Sequence, residues 1–112
     1  MKLSNVKTIL NANVLACESL LESEVHSACG SDLLSDVLAF VKDQGLLLTG
    51  LVNSQVVRTA EMMDIKAIVF VRGKKPTEDI IELAKEYGIV VFTTELPLYK
   101  ACGELYLTGL GK

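Results

Sequence analysis

The sequence predicts an α/β fold: a three-layer domain with a mainly parallel central sheet flanked by helices. Three observations predict it. Short β-branched runs alternate with helical stretches through the carboxyl-terminal two thirds of the chain. These runs are apolar on both alternations, as strands covered on both faces should be. Gly50 and Gly73 each lie just past such a run, 23 positions apart, which is the period of one β-α unit. Consecutive βαβ crossovers then require a parallel sheet.

The elements follow in chain order. Lys2 to Leu10 reads as a short helix. Asn13 to Cys17 and Glu24 to Ala28 read as two short strands around a polar linker. Ser31 or Asp32 caps a helix running to about Lys42, with Leu33, Leu34, Val37, Leu38 and Val41 inward and Gly45 at its end. Leu46 to Thr49 is a strand ending in Gly50. Asn53 caps a helix to Met63 with Val56, Val57, Ala60 and Met63 on its apolar face.

Ala67 to Val71 is the next strand, broken by Arg72-Gly73-Lys74-Lys75-Pro76. Thr77 to Tyr87 is the clearest helix. Glu78 and Asp79 stand in its first turn, where the helix dipole favours acids. Ile80, Leu83, Ala84 and Tyr87 form its buried stripe, and Gly88 ends it. Ile89 to Thr93 is a third strand. Pro97 opens a last helix, Leu98 to about Leu105, before the tail Thr108-Gly109-Leu110-Gly111. No linker long or polar enough to divide the chain appears, so residues 1–112 read as one domain.

Composition narrows the function. The formal charge is −3, with 3 bases and 6 acids in residues 1–56 and 8 of each in residues 57–112. Neither half is basic and there is no Trp, so neither a phosphate-backbone footprint nor a base-stacking platform is expected, and nucleic acid is not an expected partner. No apolar run is long enough to span a bilayer and no signal-peptide core follows Met1, so a cytoplasmic address is expected, with no membrane contact. Cys17, Cys29 and Cys102 are odd in number and form no CxxC pair, which argues against a disulfide framework. His26 and Cys29 could be half a metal site, but on one strand they point to opposite faces. No metal or cofactor is expected.

The turns between strands and helices carry the most functional information. In open parallel sheets ligands sit beyond the carboxyl ends of the strands, where free amides and the helix dipole favour anions. Three such ends occur, and they gather Thr49, Gly50, Asn53, Arg72, Gly73, Lys74 and Thr94 as a candidate ligand-binding rim. Arg72 can grip a phosphate or carboxylate bidentately, and Asn53 can hydrogen-bond a neutral edge. The competing account is a solvated basic loop around an empty rim. Neither GxxxxGK[ST] nor GxGxxG is present, and His26 has no partners at a recognisable catalytic spacing. No catalytic residue and no enzyme activity, kinase activity included, is expected.

The ordered pieces Gly45-Leu46-Leu47-Leu48-Thr49-Gly50, Arg72-Gly73-Lys74-Lys75-Pro76, Glu82-Leu83-Ala84 and Gly88-Ile89-Val90-Val91 ending in Thr93-Thr94, with Ser31 to Leu38 upstream, resemble the DRTGG domain family. Such domains are found fused to pyrophosphatases with CBS domains and to phosphotransacetylases, and they look like the amino-terminal domain of HPr kinase/phosphorylase. The resemblance is to stand-alone members of about this length. Where the family pattern has Asp-Arg after the first Thr-Gly, this chain has Leu51-Val52. Where it has Thr-Gly-Gly, this chain has Arg72-Gly73-Lys74. Thr49, Gly50 and Gly73 carry over.

The resemblance implies a regulatory or interaction module, often dimeric. The expected function is therefore a non-catalytic regulatory homodimer that senses a small anionic or adenine-nucleotide ligand at the rim. The alternative is a protein-interaction subunit that binds a partner enzyme or regulatory protein without any small ligand. Residues Leu98 to Leu110 carry more apolar side chains than one helix face needs, which places the expected dimer contact there.

Overall fold

Five short strands form one sheet within residues 1–40 and 45–111, which are the residues described by the computed structural model. They are β1 (Asn13–Ala16), β2 (Ser27–Gly30), β3 (Gly45–Thr49), β4 (Ala67–Phe70) and β5 (Val90–Thr93), in the spatial order β1-β5-β4-β3-β2. β2 through β5 are parallel neighbours, and β1 joins β5 antiparallel at one edge. The helices are α1 (Leu3–Leu10), α2 (Leu34–Phe40), α3 (Ser54–Met62), α4 (Glu78–Tyr87) and α5 (Leu98–Leu107). The expected three-layer architecture, with three parallel strands at its centre, is the one observed.

Strand alternation decides which helix covers which face. Leu46, Leu48, Ala67, Val69, Val71, Val90 and Phe92 point to one side and pack with Leu3, Val6 and Leu10 of α1 and with Ala101 and Leu105 of α5. Leu47, Ile68, Phe70 and Val91 point to the other and pack with Val37 of α2, Val56, Val57 and Ala60 of α3, and Ile80 and Ala84 of α4. β2 to β5 are consecutive in both chain and space, so right-handed crossovers put α2, α3 and α4 on one face. α1 and α5 cover the other.

α1 has no side-chain cap; the chain itself supplies acceptors for its first amides. Leu3 N–H donates to the Ser23 carbonyl at 2.9 Å and Ser4 N–H to the Leu21 carbonyl at 2.8 Å. Those acceptors belong to the segment that carries the chain from β1 to β2 at the opposite edge. That segment holds the turn Glu18–Leu20 where a polar linker is expected. Asn53 caps α3 as expected, accepting from Val56 N–H at 3.0 Å. Gly88 ends α4 in the left-handed region at φ 69°.

Several expectations need correction. The second strand is Ser27–Gly30, three residues later at its start than Glu24, because Val25 is drawn into pairing with Met1 and into the core below α1. Gly45 does not end a helix; it opens β3. α2 begins at Leu34, so Leu33 precedes it and is 57% exposed. Leu38 is exposed as well, whereas Val37, one position before it on α2, is buried. Tyr87, at the last turn of α4, is also exposed. The expected helix end at Lys42 and the inward Val41 lie outside the described residues. Among the described residues no helix is long and apolar enough to cross a membrane.

This layering sets the cost of substitutions. Phe92→Ala, fully buried between β5 and its helices, should destabilise by about 3–5 kcal/mol. Leu33→Ala should change stability by less than about 0.5 kcal/mol. Urea unfolding of both variants checks the pair; comparable losses would contradict the placement of Leu33 outside the core.

Candidate functional site

The carboxyl ends of β2, β3, β4 and β5 point the same way, so the loops that follow them share one rim. β3 ends at Thr49, whose side chain is buried beneath the rim. Its hydroxyl accepts from Leu51 N–H at 3.0 Å and donates to Asp32 Oδ1 at 3.1 Å. Gly50 N–H donates to the same Asp32 oxygen at 2.6 Å. Asp32 comes from the loop after β2, so its carboxylate stitches two neighbouring strand ends together.

Arg72 completes the arrangement from the loop after β4. Its Nη2 stands 3.8 Å from Asp32 Oδ2, with both side chains about half exposed. The guanidinium lies directly over Gly50, where a β-carbon would collide with it. The absence of a side chain at Gly50 is what lets the guanidinium approach this closely. Arg72 and Gly73 are both left-handed, at φ 59° and 71°, and Lys74 N–H closes the turn onto the Val71 carbonyl at 3.1 Å. Left-handed backbone suits Gly73 but costs about 1–2 kcal/mol at an arginine. Arg72 N–H donates to the Leu96 carbonyl at 2.9 Å and Gly73 N–H to the Thr94 carbonyl at 2.8 Å, and these bonds hold the turn against that cost.

The structure brings together Thr49, Gly50, Arg72 and Gly73. Lys74 follows on the same turn; its carbonyl accepts from the Thr93 hydroxyl at 2.7 Å and its side chain is exposed. Asn53 is nearby in sequence, but its side-chain oxygen is committed to capping α3. Thr94 is turned away from the rim. It is buried, and its hydroxyl donates to the Leu10 carbonyl at the end of α1 at 2.7 Å.

Two acids belong to the rim beside the expected residues. Asp32 faces Arg72, and the Glu95 carboxylate closes over Gly73, where a β-carbon would meet it. The rim is thus a balanced set of charges rather than a purely positive one. Leu51 and Val52, standing where the family pattern has Asp-Arg, are half-buried and pack against the core under α3 and α4. An acid and a base are nevertheless present at the same rim, supplied by Asp32 and Arg72.

Two other places could carry chemistry. A groove of about 660 Å³ runs between α5 and the exposed face of β2, lined by Ala28, Gly30, Tyr99, Cys102, Tyr106 and Leu107 among others. The cysteines are free, and burial pushes all three thiols above their ordinary value. Asp36 adds to this at Cys29, and Cys29 adds to it at Cys102, whereas Lys85 opposes it at Cys17. Among the described residues no group of three or more His, Cys, Asp or Glu is placed to hold a metal ion.

Two predictions follow from this geometry. Gly50 has no left-handed backbone to preserve, so Gly50→Ala should fold with a stability change of about 1 kcal/mol or less, while displacing Arg72. A crystal structure of the variant with the guanidinium unmoved would contradict the close approach. The raised thiols start from an ordinary value of 9.0, so alkylation by iodoacetamide should be slower than for free cysteine at neutral pH. It should climb steadily up to that value and beyond. A plateau in rate below pH 8 would reveal an activated thiolate.

Comparison with known proteins gives the family. The DRTGG domain model matches residues 5–105, and the chain belongs to that family. A solved structure of the CBS and DRTGG domains of the regulatory region of Clostridium perfringens pyrophosphatase, complexed with the activator diadenosine tetraphosphate, has the same fold. The TM-score is 0.74 at 18% identity, over 93% of this chain and 45% of that one. This chain therefore spans less than half the length of that solved chain. A search of the curated proteins gave no significant match.

Proposed function

Taking the chain as a DRTGG domain, we propose that it is a non-catalytic regulatory module that senses a small anionic ligand at the rim and acts as a homodimer. The observation that supports this most directly is Arg72. A half-exposed guanidinium is held over a glycine by a left-handed turn, with one carboxylate 3.8 Å away as its counter-charge. Non-glycine residues kept in this backbone region cluster at ligand sites and switches.

The chemistry follows from comparing two partners for the same cation. A half-exposed ion pair of this length contributes about 0–1 kcal/mol. A phosphate offers more charge and a bidentate geometry, so a charge-assisted contact to Arg72 contributes about 1.5–3 kcal/mol. The anion replaces Asp32 at the guanidinium, while Asp32 Oδ1 keeps its bonds to Gly50 and Thr49. Binding is thereby felt by the loop that leads into α2. The pyrophosphatase regulatory region of the same fold was solved with an adenine dinucleotide as its activator, so adenine nucleotides are the first class to test.

Thermal denaturation with ADP, ATP, diadenosine tetraphosphate and inorganic pyrophosphate is the test. A ligand at a hundred times its Kd adds about 2.7 kcal/mol, which for a domain of this size raises Tm by about 10 °C. The shift should fall to about 1–5 °C in Arg72→Asn, whose asparagine tolerates the left-handed turn, and should shrink steeply with salt. No shift from any ligand, or an undiminished shift in Arg72→Asn, would contradict the reading. The first of these outcomes favours the partner-binding subunit instead.

A further inference from the structure

α5 buries one face and turns the other outward. Ala101 and Leu105 pack in the core, whereas Tyr99 is 92% and Leu107 75% exposed. At 3.6 residues per turn, Gly103 stands at the centre of the outward face, one turn from each of them. Lys100 and Tyr106 flank this centre on opposite sides. A β-carbon at Gly103 would touch nothing in the protomer. Glycine inside a helix is less favourable than alanine, and no packing within the protomer requires it here.

We propose that α5 is the self-association face, pairing antiparallel with α5 of a second copy about a twofold axis at Gly103. The proposal rests on the homodimer reading and specifies its geometry. The absent side chain lets the two backbones approach at the crossing point. The rotation sets Tyr99 of each copy beside Tyr106 of the other along one side of the seam. Along the other side it sets Lys100 of each copy beside Glu104 and Leu107 of the other. Lys100 and Glu104 form no ion pair within the protomer among the described residues. The face is thus complementary to itself in shape and in charge, as a twofold interface must be. The groove between α5 and β2 opens along this helix, so the second copy also covers its mouth.

Sedimentation velocity on the full chain tests the geometry. The wild type should be a dimer. Lys100→Glu and Glu104→Lys should each weaken the dimer ~10-fold or more, because each places like charges across the seam twice. The double variant restores opposite charges and should return to within about threefold of the wild type. Gly103→Leu should give a monomer whose far-ultraviolet circular dichroism is unchanged. A dimer indifferent to all of these substitutions would overturn this interface and leave the homodimer reading standing. A wild-type monomer at high micromolar concentration would overturn both.

Discussion

β3, β4 and β5 are buried on both faces, and most of the architecture follows from covering them. A strand apolar on both alternations needs a helix layer on each side. α2, α3 and α4 supply one layer as crossovers between consecutive parallel strands. The other layer cannot come from crossovers of the same hand in the same direction, so it comes from the two ends of the chain, α1 and α5. Thr94 ties the end of β5 to this second layer, with its hydroxyl on the last turn of α1. The parallel register in turn brings the ends of β2 to β5 to one rim, which is what places Asp32, Gly50 and Arg72 in contact.

Much of this was legible in the sequence because the central strands and α3 and α4 carry strong, regular patterns. Apolar runs such as Ala67 to Val71 and the spacing of Ile80 and Ala84 admit one reading. The first third was harder, since β1 and β2 are edge strands of four residues with half-covered faces. Their alternation is weak, and pairing of Val25 with the amino terminus shifts β2 toward Gly30. That shift explains why Asp32 escaped the candidate site. With the strand placed at Glu24 to Ala28, Asp32 reads as a helix cap; with the strand ending at Gly30, it occupies the loop beyond a strand end. The Ser31-Asp32 pair was visible, but its partners, Gly50 and Arg72, are distant in sequence.

Thr94 and Asn53 illustrate the opposite error. Both stand at the right places in the chain for a rim, yet the Thr94 hydroxyl and the Asn53 Oδ1 are engaged by the fold. Sequence position locates a strand end, but whether a side chain faces ligand or core depends on the alternation there and on which acceptors lie beneath. α5 taught a related lesson. Leu98, Leu105 and Leu110 looked like surplus apolar residues but serve the core, while Tyr106 and Leu107 remain outside it.

The central proposal is that the Arg72 turn over Gly50 is where this DRTGG domain binds an anionic ligand. A titration followed by amide ¹H–¹⁵N correlation spectra tests it directly, with adenine nucleotides and pyrophosphate as probes. The account predicts that the Gly50 and Gly73 amides and the Arg72 Nε–H resonance move first and saturate together. Shifts confined to the α5 groove, or no saturable shift at any amide, would contradict it.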